Sequence, residues 1–135
     1  IQAALGVSQM QRLDEFVARL TALAQRYDAL LRDLPVGLPQ QHSNTASSWH
    51  LYAIRITANN SRDQVFAALR QAKIGVNVHY IPVHWQPYYR KLGFKPGDFP
   101  AAEQYYQEAV SLPLFHDLTG SQQDFIVNSL EQALQ

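Results

Sequence analysis

The chain has 135 residues, 47% of them apolar, which suits one domain with a sizeable core and excludes a wholly disordered polypeptide. Eleven basic against eleven acidic side chains give zero net charge, which removes the basic footprint of a dedicated nucleic-acid binder and any overall pull toward an anionic membrane. No apolar run reaches the length of a membrane span. The lack of cysteine excludes disulfides, thiolate metal sites and a cysteine nucleophile, and fits a reducing, cytoplasmic setting. The opening IQAALGVSQM has neither an initiator Met nor the basic start of a signal peptide, and reads as a cut from something longer.

Ile1, Ala3, Ala4 and Leu5 before Gly6 read as the end of a truncated helix that Gly6 terminates. Met10, Leu13, Val17, Leu20, Ala24, Tyr27, Leu31 and Leu34 then recur at gaps of three and four, with Phe16, Leu23 and Leu30 widening the stripe. This period predicts a long helix over 8–34 with one broad buried face. Ser8 and Gln11 form its capping box, Glu15/Arg19 and Asp28/Arg32 are surface pairs, and Pro35 and Gly37 end it. Such a helix is roughly 40 Å long at 1.5 Å per residue, whereas a compact domain of this size has a radius of gyration of about 14 Å. It therefore bends, or one end projects. Three apolar columns suit packing across the chain's own sheet better than a two-stranded coiled coil, the alternative that a heptad-like stripe leaves open.

Residues 35–48 carry Pro, Gly, Asn and Ser and read as a surface loop, and Trp49–Ile56 reads as a strand. Asn60 and Ser61 cap a helix over 61–73 with Val65, Phe66, Leu69 and Ala72 inward. Gly75 breaks it, and Val76–Ile81 follows as a second strand. Prolines at 82, 87, 96 and 100 punctuate the next stretch, leaving room for a short helical turn at Gln86–Leu92. Pro100–Ala109 suits a helix with Pro in its first turn. Val110–Leu114 is a short strand that Pro113 confines to an edge or a strand end. Thr119 and Gln122 form a capping box for a last helix with Phe125, Ile126, Leu130 and Leu134 on its apolar face. The predicted class is α+β: a small, mainly antiparallel sheet backed by helices, with a long N-terminal helix.

The chain alone holds no complete catalytic constellation. Its histidines, His42, His50, His79, His84 and His116, include no HExxH pair and have few carboxylates nearby, so no metal site is expected. There is no GxSxG elbow, P-loop or GxGxxG. One segment stands out. Residues 79–90, HYIPVHWQPYYR, gather imidazoles, phenols, an indole and a guanidinium at a strand end, groups that stack on bases or sugars and bond hydroxyls and phosphates. Tyr80, Trp85 and Tyr88 can equally be core aromatics with a polar tip. His79, at a strand end beside an irregular loop, leans toward a functional place.

The runs GVNVHYIPVHWQPYYRKLGF, FPAAEQYYQEAVSLPLF and IQAALGVSQMQRLDEF together resemble the DegT/DnrJ/EryC1/StrS group of pyridoxal-phosphate-dependent nucleotide-sugar aminotransferases. The first run looks most like enzymes that aminate UDP-4-keto-6-deoxy-N-acetylhexosamines. The resemblance implies a C-terminal small domain of a fold-type-I aminotransferase spanning 1–135, with 1–7 a remnant of the large-domain junction, 8–34 the long helix, and 49–135 sheet and helices. By the same resemblance, His79, Tyr80, His84 and Tyr88 face a UDP-sugar, and the parent takes its amino group from glutamate, binds pyridoxal phosphate and is a homodimer. The family's Schiff-base lysine has no counterpart here, since Lys73, Lys91 and Lys95 lie in none of its lysine context. The chain alone is therefore expected to hold no cofactor and to be inactive, supplying one wall of the substrate cleft. A self-association module working through the apolar helix over 10–34 is the alternative function. A nucleic-acid binder resting on the aromatic-rich loop is a weaker one, given zero net charge.

Overall fold

A computed structural model describes residues 1–57 and 61–135 of the chain. The elements in order are helix α1 (Gln2–Met10), helix α2 (Leu13–Leu31), strand β1 (Val36–Gly37), strand β2 (Tyr52–Ile56) and helix α3 (Arg62–Gln71). A 3-10 turn at Val83–Trp85 leads to helices α4 (Pro87–Lys91) and α5 (Pro100–Glu108), strand β3 (Ala109–Leu112) and helix α6 (Gly120–Ala133). The strands form an antiparallel sheet in the order β1-β2-β3, with Val36 opposite Ile56 and Tyr52 opposite Leu112. The expected α+β class and helix-backed antiparallel sheet are what the structure contains.

The apolar stripe builds the core as its period requires. Leu23, Ala24, Tyr27 and Leu31 of α2 bury against Tyr52, Ile54 and Ile56 of β2 and against Val110 and Leu112 of β3. Val65 and Leu69 of α3 and Ile126, Val127 and Leu130 of α6 close the same cluster. Phenol burial is accompanied by hydrogen bonding. Tyr27 donates to the Pro113 carbonyl at 3.0 Å and Tyr52 donates to Asp28 Oδ1 at 2.6 Å. Burial, and for Tyr52 also the Asp28 carboxylate, pushes both phenols far above their ordinary range, so both keep their protons. Capping boxes form at Ser61/Gln64 and Thr119/Gln122, the second as read from the sequence. Asn60, the other expected cap of α3, lies outside the described residues.

The long N-terminal helix is present but broken. The chain leaves helical geometry at Arg12 (φ −107°, ψ 4°), so 8–34 is divided between α1 and α2. Ser8 sits in the last turn of α1 and forms no cap, and Gly6 lies inside α1 rather than ending it. An exposed helical Gly costs about 1 kcal/mol relative to Ala, an amount the surrounding helix formers outweigh. Arg12 reaches forward instead, pairing with Glu15 at 3.2 Å and lying over the Phe16 ring at 4.6 Å. No residue of α1 is buried, so the geometric conflict resolves both ways at once: a bend, and a projecting end.

The expected surface pairs give way to longer-range contacts. Arg19 donates to the carbonyls of His116 and Leu118, at 3.2 and 2.8 Å, rather than meeting Glu15. Asp28 accepts from Tyr52 rather than from Arg32. Two strand assignments also differ. Val36–Gly37, expected in a loop, is a short edge strand, and Val76–Ile81 is not a strand. That segment makes a single bridge, Asn77 to Ser111, after which the Asn77 side chain accepts from the Val78 N–H at 3.1 Å and draws the backbone away from the ladder. Its side chains do not alternate between two faces as a strand's would, since Val76 is buried while Tyr80, four positions on, is 71% exposed.

Candidate functional site

The segment after the Asn77 bridge leaves β3, touching it through the His79 side chain, and then folds into the 3-10 turn and α4. His79 is half-buried. Its Nδ1 lies 2.8 Å from Ser111 Oγ, and its ring meets the Tyr80 ring edge-on at 4.6 Å. Tyr80 and Tyr88 are both about two-thirds exposed or more, Tyr88 meeting Tyr89 edge-on at 5.3 Å. Trp85 is half-buried against Tyr106, outside the main core cluster, and its Nε1 is buried without a partner among the described residues.

His84 has a different setting. It is 6% exposed, its ring lies 4.9 Å from Phe99, and its Nε2 is 2.7 Å from Glu103 Oε1. The same oxygen accepts the Gly97 N–H at 2.7 Å. Gly97 has φ +96°, a conformation glycine adopts without strain, so the turn that aims this N–H depends on it. Together these bonds tie the 3-10 turn, the 93–99 loop and α5 into one unit, which surrounds an almost wholly apolar cavity of about 320 Å³ lined by Val83, His84, Tyr89, Phe94, Phe99 and Ala102. No hydrogen bond or ring contact among the described residues joins the His79–Tyr80 pair to His84 or Tyr88.

Partial desolvation pushes the Glu103 carboxyl up, but His84 and the backbones of Gly97 and Phe99 together bring it below its ordinary value of 4.5. A depressed folded value contributes stability above pH 4.5 that is lost as pH falls through that lowered value. The urea midpoint is therefore expected to drop on acidification below pH 4.5, and Glu103→Gln to flatten that drop while lowering the midpoint at pH 7. The slope left in the variant belongs partly to Glu15, held low by Arg12. An unchanged acid slope in Glu103→Gln would remove this role for the pair.

The lysines do not make a seat for pyridoxal phosphate. Lys73, Lys91 and Lys95 are exposed, and none forms an ion pair among the described residues. Lys73 borders an apolar groove formed with Ile74, Leu114, Phe115, Leu118, Phe125 and others, which contains no carboxylate to face a pyridine nitrogen. Schiff-base chemistry needs the amine held against the ring with that counter-charge in place, so these residues do not fit the cofactor. Among the described residues no three His, Asp or Glu side chains converge on a metal position either. No helix among them is long and apolar enough to cross a membrane.

Sequence reasoning missed the partners, Ser111 and Glu103. Glu103 carries no signal distinguishing it from other acidic residues of an amphipathic helix. Ser111 does: it is a lone hydroxyl in an apolar run, inside the short strand read over Val110–Leu114, and such a hydroxyl needs a hydrogen-bond partner wherever the strand is buried.

Known proteins share this fold. The chain is 37% identical to the spore coat polysaccharide biosynthesis protein SpsC of Bacillus subtilis, over 96% of the chain and 35% of SpsC. It superposes on DesV of S. venezuelae, solved with a ketimine intermediate, with a TM-score of 0.91 and 31% identity over 99% of the chain and 36% of DesV. Spr1654 from Streptococcus pneumoniae, solved in its PMP form, gives 0.90 and 28% over 97% of the chain and 34% of that protein. The chain thus spans about a third of the length of these relatives. The pattern of one family matches residues 1–131, nearly the whole sequence, and the chain belongs to that family, the DegT/DnrJ/EryC1/StrS aminotransferases.

Proposed function

We propose that this chain is the C-terminal small domain of a cytoplasmic, pyridoxal-phosphate-dependent sugar aminotransferase, and forms one wall of its substrate cleft. The parent, a homodimer on this reading, transfers the amino group of glutamate to a UDP-linked 4-keto-6-deoxy sugar. The observation that carries the proposal is the pair formed by the half-buried His79 and the exposed Tyr80, beside β3 inside the family-matched region. A phenol and an imidazole held there can bond ligand oxygens, while the exposed Tyr88 offers a ring face. His84, with its Nε2 taken by Glu103, acts by fixing the turn that presents Tyr88 and by lining the apolar cavity behind it. Residues 1–7 are the junction on this proposal, and the unburied α1 is consistent with it.

The cofactor supplies an electrophilic carbonyl and an electron sink when bound in the whole enzyme, and this chain contributes no lysine to it. Mixing the purified chain with pyridoxal phosphate and borohydride is expected to leave no specific lysine adduct, and titration with UDP is expected to shift the resonances of His79, Tyr80 and Tyr88. A trapped adduct that transaminates a sugar would overturn the claim of inactivity. UDP that leaves all three residues unmoved would overturn the cleft-wall assignment.

The self-association reading is narrowed by the fold. Leu23, Ala24, Tyr27 and Leu31 are consumed by the chain's own core, so the 10–34 stripe is not a free surface. What remains exposed is α1 and the start of α2, including Met10 and Leu13.

A further inference from the structure

We propose that Ser111 is a positioning residue for His79: its hydroxyl donates to Nδ1 and so fixes the imidazole with a proton on Nε2, aimed at an acceptor oxygen of the ligand. This rests on the reading of His79 as a ligand contact. The geometry that supports it is local and specific. Ser111 is 4% exposed, and His79 Nδ1 is the only hydrogen-bond partner shown for its Oγ among the described residues. Its backbone is held twice over. On one side it lies opposite Ala53 in the β2–β3 ladder, and on the other it exchanges hydrogen bonds with Asn77, donating to the Asn77 carbonyl at 2.8 Å and accepting from the Asn77 N–H at 3.2 Å. The hydroxyl therefore starts from a fixed point two residues from the side chain it orients.

The direction of the bond follows from the cost of the alternatives. A buried hydroxyl with one partner can donate or accept. If it accepts, its own proton is left without an acceptor in a desolvated place. If it donates, only a spare lone pair goes unused, which is much the smaller loss. Donation requires Nδ1 to be the bare nitrogen and places the ring proton on Nε2. No protein group bonds Nε2 among the described residues, and the Tyr80 ring edge restricts rotation of the imidazole. The site thereby selects acceptor oxygens, of the kind a phosphoryl group, a sugar hydroxyl or a carbonyl provides, over donor groups at that position.

Long-range proton–nitrogen correlation spectra of the isotopically labelled 135-residue chain test this without any ligand. The expected result is a proton on Nε2 of His79 and an Nδ1 resonance displaced by hydrogen bonding. Ser111→Ala should return that resonance to the value of a free imidazole, and Ser111→Thr, which keeps the hydroxyl, should preserve it. A proton found on Nδ1, or an Nδ1 resonance unmoved in Ser111→Ala, overturns the proposal. Titration with UDP separates it from the reading beneath it. Ser111→Ala is expected to weaken UDP binding by about tenfold, the scale of one oriented hydrogen bond to a charged group, and Ser111→Thr by no more than about twofold. If UDP leaves wild-type His79 unmoved while Ser111→Ala still shifts Nδ1, the ligand assignment falls and the Ser111–His79 pairing stands.

Discussion

Tyr52→Ala is expected to reduce the unfolding free energy by about 3–5 kcal/mol, the range for truncating a buried aromatic. Tyr52→Phe is expected to lose only about 1 kcal/mol. The difference follows from where the side chain sits. Tyr52 is fully buried at the start of the central strand, with its ring 4.9 Å from that of Tyr27 on α2 and 5.9 Å from that of Trp49. It is thus the joint between the long helix and the sheet. Alanine there opens a cavity that α2 and β2, pinned by their own ladders, can only partly fill. Phenylalanine keeps the packing and deprives Asp28 of a donor, but Asp28 is half-exposed and can turn to water. Against a total of roughly 5–15 kcal/mol for a domain, the alanine variant loses much of its stability. Urea denaturation of the three proteins reads this directly. A Tyr52→Ala loss near 1 kcal/mol would mean that α2 does not depend on this sheet.

Most of the helices were legible because their signals are local. The 3.6-residue stripe of α2, the Thr119/Gln122 box of α6 and the Pro100 start of α5 each rest on neighbours within a few residues, which the sequence displays directly. The strands were harder. Residues 76–81 have the β-branched and aromatic composition of a strand, yet pairing is a long-range event, and β3 offers that segment only the Asn77–Ser111 bridge. Conversely, Val36–Gly37 looks like loop because two residues cannot show alternation, and it is a strand only because Ile56 and Arg55 lie across from it. The break at Arg12 was visible as a conflict of lengths but not as a position, since no Pro or Gly marks it.

The candidate site was legible as a segment and not as a geometry. Composition alone picked out 79–90, and the family resemblance picked out His79, Tyr80, His84 and Tyr88 within it. What separates those residues is contact with distant parts of the chain. His84 is drawn inward by Glu103, nineteen positions away, and His79 is steadied by Ser111, thirty-two away. One histidine is thereby buried and tied to a carboxylate and the other half-buried beside β3, a distinction that residue type and spacing do not contain.

On the proposed reading, His79→Ala weakens UDP binding by about 10–150-fold, the span of about 1.5–3 kcal/mol for one hydrogen bond to a charged oxygen. Tyr80→Phe, which keeps the ring that braces His79 and removes only the phenol's bond to a ligand oxygen, is expected to weaken binding less, by up to about tenfold. The alanine change also leaves the buried Ser111 hydroxyl without its partner, which costs about 1–3 kcal/mol of stability. Binding must therefore be measured at a temperature where both proteins are fully folded, with the urea midpoint of each recorded alongside. A stability loss and a binding loss are separable here because Ser111→Ala takes away the buried hydroxyl itself, so no buried donor is left unpaired, while His79 Nε2 remains free to bind from a ring that is no longer steadied. His79→Ala should thus be the weaker binder of the two and the less stable. In whole-enzyme kinetics a contact made equally in ground and transition states raises KM and leaves kcat nearly unchanged. His79→Ala that binds UDP as the wild type does would remove His79 from the cleft, and with it the main support for a ligand wall at this edge of the sheet.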